Sequence, residues 1–140
     1  MKVDIVIVSN ATLNKQLTID AINSVHESDS FDFNVIVMEQ TKARFENATT
    51  INYDFDFNYN KCLNEGAKYG SAKYIVFCNN DLLFEKDWFN RLLDVFEMGY
   101  KSLSPFEKRH CKSHNIKQGD HLIEGYIVRR QLFVVYSNRA

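Results

Sequence analysis

Proline occurs once in the 140 residues, at Pro105, and glycine only five times. With no low-complexity stretch and no internal repeat, nothing marks a seam between two domains. Cysteine is scarce and odd in number: Cys62, Cys78 and Cys111. Cys78 sits inside an apolar run and reads as a small core residue, so the set is no disulfide framework and a reducing, cytoplasmic setting is expected. Neither sign of charge predominates, since 17 basic and 18 acidic residues leave a net charge of -1. No general attraction to a nucleic-acid backbone follows, although a local patch stays open. No apolar run approaches the roughly 20 residues that span a bilayer. The opening MKVDIVIVS carries Asp4 in its middle and reads as a strand and not as a signal peptide.

What is present suits one domain, residues 1–140: 45% of the chain is apolar and 14% aromatic, enough for a core. Val3 to Val8 is Val/Ile-rich and alternating, which predicts a first strand ended by Ser9-Asn10. Thr12 or Asn14 can cap a helix through about Ser24, with Leu17, Ile19, Ala21, Ile22 and Val25 as its apolar stripe. Val35 to Met38 is a short buried strand, and a third strand is expected near 51–55. Asn58 to Tyr69 reads as a helix with Cys62, Leu63 and Ala67 inward and Gly70 near its end. Tyr74 to Cys78 is the central strand. Trp88, Phe89, Leu92, Leu93 and Phe96 form a helical stripe that stops at Gly99. Beyond a polar stretch, Leu122 to Arg129 is expected to be a strand, and Leu132 to Tyr136 is an apolar run of open type. This alternation predicts an α/β fold with a mostly parallel sheet flanked by helices.

In such sheets ligands bind outside the carboxyl ends of the strands. There the central strand runs into Asn79-Asn80-Asp81. A carboxylate held by a buried strand, with neutral amide oxygens beside it, suits a hard cation shared with substrate phosphates. The same residues also form turns and helix caps routinely, so the triplet alone leaves both readings open.

The wider stretch FDFNYNKCLNEGAKYGSAKYIVFCNNDLLFEKDWFNRLL, Phe55 to Leu93, resembles the family 2 glycosyltransferases of the Rossmann-like GT-A fold. Their F-N-[FY]-S-K-x-x-N-x-G-A segment, apolar strand, NND variant of the DXD-like triplet and Trp-bearing helix are matched here by Phe57, Asn58, Tyr59, Lys61, Asn64, Gly66, Ala67, Asn79, Asn80, Asp81 and Trp88. The resemblance implies a nucleoside-diphosphate sugar site, UDP-linked for preference, and inverting transfer to an acceptor hydroxyl. Asp81 would hold Mg²⁺ or Mn²⁺ against the diphosphate, with Asn79 and the late His121 as additional ligands. Ser9 falls where the first loop touches the nucleoside, and Glu39 where an acid contacts base or ribose. Asn58, Lys61 and Asn64 lie at the helix whose start approaches the nucleotide, and Asn79 and Asn80 complete the donor side. For Lys61 and Glu39 the alternative is a plain solvated charge.

The second half of the family pattern is thin. GYIVRRQLF, Gly125 to Phe133, resembles its small-residue strand and Arg-containing turn, but no acidic pair follows before Ala140. The resemblance therefore implies a compact or truncated carboxyl end. The late carboxylates are Asp120 and Glu124, of which Glu124 is the better placed general base; both also read as surface charges. His110, Cys111 and His114 lie in one polar segment without the paired spacing of a zinc site. Arg129 and Arg130 face phosphate or solvent with equal force. Three functions are carried forward: a glycosyltransferase, a non-catalytic nucleotide-sugar-binding or accessory module, and a nucleotidyltransferase. The last is disfavoured because SNATLNK is no glycine-rich phosphate loop. An incomplete acceptor half would leave apolar surface for a second copy of the chain.

Overall fold

The computed structural model of the protein describes residues 2–103 and 133–136. Strand β1 (Lys2–Ser9) leads into helix α1 (Ala11–Ser28) and strand β2 (Asp32–Glu39). Strand β3 (Thr49–Asn52), helix α2 (Tyr59–Ala67), strand β4 (Tyr74–Asn79) and helix α3 (Trp88–Phe96) follow, then β5 (Ser102–Leu103) and β6 (Phe133–Tyr136). The sheet order is β3-β2-β1-β4-β6-β5. β1 to β4 are mutually parallel, whereas β6 pairs antiparallel with β4 and β5. The α/β architecture and mostly parallel sheet expected from the sequence are thus present. The Leu132 to Tyr136 run contains strand β6. The expected strand at Leu122 to Arg129 lies outside the described residues.

Alternation along β1 builds two cores, one on each face. Val3, Ile5 and Ile7 join Ile22, Val25, Val76, Trp88 and Phe89 on the α1/α3 side. Val6 joins Ile36, Met38, Cys62 and Ile75 beneath α2. Gly66 in α2 and Gly70 in the turn after it let this segment lie close to β1. A Cβ on Gly66 would stand 2.6 Å from Val6 Cγ1 and 3.1 Å from Met38 Cγ. A Cβ on Gly70 would stand 2.3 Å from the Asp4 carboxylate. Gly70 was expected as a helix terminator. Lys68 is the C-cap, Gly99 is the glycine with positive φ among the described residues, and Gly70 is small because Asp4 is beside it.

Replacing Gly66 by Ala sets two effects against each other. Helix propensity favours Ala by about 1 kcal/mol. Overpacking against a β-branched side chain locked in the sheet costs about 1–3 kcal/mol. The net expectation is a loss of about 1 kcal/mol in denaturant unfolding, with α2 helicity retained.

Two boundaries move for local reasons. Helix α1 starts at an Asn10 cap, with Asn10 Oδ1 accepting from Thr12 N at 3.0 Å. Its backbone then leaves the helical region at Asn14, whose Oδ1 accepts from Leu17 N at 3.2 Å and caps the restart. Thr12 itself is no cap. Leu17 is 40% exposed, and the buried stripe runs through Thr18, Ala21, Ile22, Val25 and Ser28. Strand β3 sits slightly earlier than 51–55 and ends at Asn52, whose Nδ2 donates to Thr41 O and Ala43 O and ties the strand end to the 41–43 loop. Beyond it Tyr53 and Phe55 stack on each other with centroids 4.5 Å apart.

Candidate functional site

Parallel register brings three strand ends to one edge. Ser9 pairs with Glu39 across β1 and β2, and Val8 pairs with Asn79 across β1 and β4. The loop after each strand therefore meets the others along a single line, with β1 at its middle and the triplet Asn79-Asn80-Asp81 at its β4 end. Asp81 lies in the turn after β4 and is exposed. Its charge acts on the Tyr59 phenol and the Cys78 thiol.

Beneath this turn is a buried polar network. Glu39 is 0% exposed. Its Oε1 accepts from Ser9 Oγ at 2.8 Å. Its Oε2 accepts from Ala11 N at 3.0 Å, Thr41 N at 2.8 Å and Thr41 Oγ1 at 2.7 Å. A buried carboxylate is tolerated when donors surround it, and here the donors come from both loops that flank the site. The solvated strand-end acid is therefore not what forms. The carboxylate oxygens are occupied by protein donors, so Glu39 shapes the β1–α1 and β2–β3 loops from below. Ser9 Oγ also lies 2.7 Å from Thr18 Oγ1, and Asn80 Nδ2 donates to the same Thr18 oxygen at 3.1 Å.

Asn79 is tied from the other side, its Oδ1 accepting from Tyr59 Oη at 2.7 Å. Burial, then the neighbouring Cys78, Asp81 and Cys62, push the Tyr59 phenol up to about 12, so it stays protonated and donates. Asn58 caps α2, its Oδ1 accepting from Lys61 N at 3.0 Å. Lys61 Nζ stands 4.5 Å from the centroid of the Phe55 ring, a cation–π contact, so the lysine is neither in the strand-end network nor a bare solvated charge. Asn64 is exposed on α2, one turn from Lys61. The structure thus brings Ser9, Glu39 and Asn80 into one network and places Asn79 and Asp81 beside it. Glu124, Asp120, His121, the 110–114 segment and Arg129-Arg130 lie outside the described residues.

The turn carrying Asp81 is fixed to α1 along its length. Ser24 Oγ accepts from Phe84 N, Ser28 O accepts from Asp87 N, and Ser28 Oγ accepts from Trp88 Nε1. Asp87, the N-cap of α3, has φ of 65° and makes no side-chain cap bond. Asp29 supplies the cap from a distance: its Oδ2 accepts from Phe89 N and Asn90 N. Trp88 is buried and stacks on Phe33, which makes it core.

No protein-family model and no curated protein matches the chain. Solved structures do. The crystal structure of TarS from S. aureus, a glycosyltransferase, superposes with a TM-score of 0.52 at 14% identity over 73% of this chain. The crystal structure of S. aureus TarS 1-349 gives 0.53 at 12% identity over 72% of it. The fold is a glycosyltransferase-like GT-A fold. The chain spans 21% of the first TarS structure and 34% of the second, so the likeness concerns one part of a larger enzyme.

Two residues of this GT-A-like edge were not singled out in the sequence: Thr18 and Thr41. The signal for Thr18 was available. Counting back from Ala21, Ile22 and Val25 by three, four and seven lands on Thr18, and a polar residue in apolar phase marks a buried hydrogen bond. Thr41 had no such signal.

Proposed function

We propose that this chain binds a nucleoside-diphosphate sugar, UDP-linked for preference, as the donor-binding part of an inverting glycosyltransferase acting on an acceptor hydroxyl. The observation that carries the reading is the exposed Asp81, held at the carboxyl end of central strand β4 in a glycosyltransferase-like fold.

The residues at this edge fit a shared cation better than a protein-only site. Among the described residues, no three His, Cys, Asp or Glu side chains gather to hold a metal. One carboxylate with neutral oxygens nearby suits Mg²⁺ or Mn²⁺ completed by diphosphate oxygens. When bound, such an ion neutralises charge on the departing diphosphate. Asp81 would hold it. Asn79, with its oxygen engaged by Tyr59, would offer its amide hydrogens to the donor. Asn58, Lys61, Asn64 and Asn80 line the donor side in this reading, while Ser9, expected at the nucleoside, is buried with its hydroxyl spent on Glu39 and sets the loops together with it. Glu124 would serve as the base and His121 as a further ligand.

The test is thermal shift with UDP, GDP and CDP, with and without Mn²⁺. UDP at about 100 times its Kd should stabilise the protein by about 2.7 kcal/mol. Asp81→Ala should abolish the Mn²⁺-dependent part and leave the melting temperature of the unliganded protein unchanged, because Asp81 is exposed. Absence of any Mn²⁺-dependent shift in the native protein would overturn the reading. A shift with no UDP release from UDP-glucose would make the chain a nucleotide-sugar-binding module instead. Among the described residues no helix is long and apolar enough to cross a membrane.

A further inference from the structure

We propose that Thr18 is the positioning residue of this edge: a one-way hydrogen-bond relay from Asn80 through Thr18 and Ser9 to Glu39 fixes the Asn80 amide with its carbonyl oxygen facing outward beside Asp81.

The direction follows from proton counting. A carboxylate only accepts, so Ser9 Oγ spends its one proton on Glu39 Oε1, 2.8 Å away. Thr18 Oγ1, 2.7 Å from Ser9 Oγ, must then donate to Ser9. With that proton spent, the Thr18 oxygen can only accept from its other neighbour. Asn80 must therefore present Nδ2 to it, as it does at 3.1 Å. An amide flip would set a carbonyl oxygen against an oxygen with no proton to give. The Asn80 oxygen thus points away from Thr18. It has no partner among the described residues and is not among the buried unpartnered atoms, so it reaches solvent. Asn79 is set the opposite way, its oxygen engaged by Tyr59 and its amide hydrogens outward. Asn80, and not Asn79, is then the neutral oxygen next to the Asp81 carboxylate.

The relay can be run backwards, which makes it testable without any ligand. In Glu39→Gln, the new amide nitrogen would take the place of Oε1 and donate to Ser9, while the amide oxygen would take the place of Oε2 and keep the three donors from Ala11 and Thr41. Ser9 would then donate to Thr18, and Thr18 to residue 80. An acid at 80 is the matching acceptor. Asn80→Asp should therefore lower the melting temperature by about 5 °C in the native background. In the Glu39→Gln background it should cost less than half as much. Loss of the Glu39 charge would ease repulsion of a new carboxylate through space, so the cycle is repeated with Thr18→Val. A relay loses its coupling there, whereas a through-space effect keeps it. Equal costs for Asn80→Asp in both backgrounds, or coupling that survives Thr18→Val, overturns the relay.

The ligand half rests on the function proposed above and is read separately. Thr18→Val should raise the Mn²⁺ concentration needed for the UDP-dependent thermal shift by about tenfold, and Thr18→Ser should restore it. A native protein with the stability coupling but no UDP–Mn²⁺ response overturns the ligand half together with the proposed function and leaves the relay standing. A native response unchanged in Thr18→Val overturns the positioning role alone.

Discussion

Gly70→Ala is expected to lower the melting temperature by about 15 °C, equivalent to about 4 kcal/mol for a chain of this size. The added carbon would sit 2.3 Å from Asp4 Oδ2 and 2.5 Å from Oδ1. Asp4 is 0% exposed, with Oδ1 accepting from Asn34 Nδ2 and Oδ2 accepting from Ala72 N. Its side chain is short and its backbone is held between two neighbouring strands, so neither can retreat. Relief comes only by breaking bonds to a buried charge, which costs about 3–5 kcal/mol. Gly70 has no positive φ, so conformational freedom is not the reason for its size. Asp4→Asn in the Gly70→Ala background would recover little, because the clash is steric. Urea unfolding of the two single variants and the double separates the terms. A Gly70→Ala protein as stable as the native one would show that the turn after α2 can move away from β1.

Glu39→Ala is the second large effect, at about 4 kcal/mol. Four donors lose one acceptor at a stroke: Ser9 Oγ, Ala11 N, Thr41 N and Thr41 Oγ1. Each bond to a charged group contributes about 1.5–3 kcal/mol, but the backbone donors are only partly buried and water replaces some of the loss. The sum is therefore reduced, yet it remains a large share of a typical domain stability of about 5–15 kcal/mol. The loss is not confined to unfolding. Two loops bordering the proposed donor site share this single anchor, so UDP binding should fall together with stability. Asp81→Ala should separate the two properties, since it is expected to abolish the Mn²⁺-dependent part of binding and to leave stability unchanged. If Glu39→Ala melts within 3 °C of the native protein, its carboxylate is not the clamp described.

Strands β1, β2 and β4 were legible because each is a nearly continuous apolar run, the pattern of parallel strands buried on both faces. Strands β1 and β4 and helix α3 appear within a residue or two of where periodicity places them. The triplet was legible too, since a polar burst at the end of a buried run has few uses. Less legible was whatever depends on partners distant in sequence. Glu39 is an ordinary strand-end acid until Ser9, Ala11 and Thr41 are seen around it. Gly70 follows a helix and invites a capping role, while its true neighbour, Asp4, lies 66 residues upstream (70 − 4). Leu17 reads as core next to Ile19, yet the phase set by Ala21, Ile22 and Val25 passes through Thr18 instead. The α3 cap was hidden for the same reason, because Asp29 supplies it from the far end of α1.

Helix α1 carries Thr18, Ser24, Ser28 and then Asp29 at its end, and each holds a successive point of the 80–90 stretch. A ribosome makes that jig some sixty residues before it makes the piece to be clamped. The turn bearing Asp81 is therefore made after the helix that holds it, and the two complete their shared core together. A circularly permuted version that begins at β4 would have to hold the same turn in the open until its template arrived.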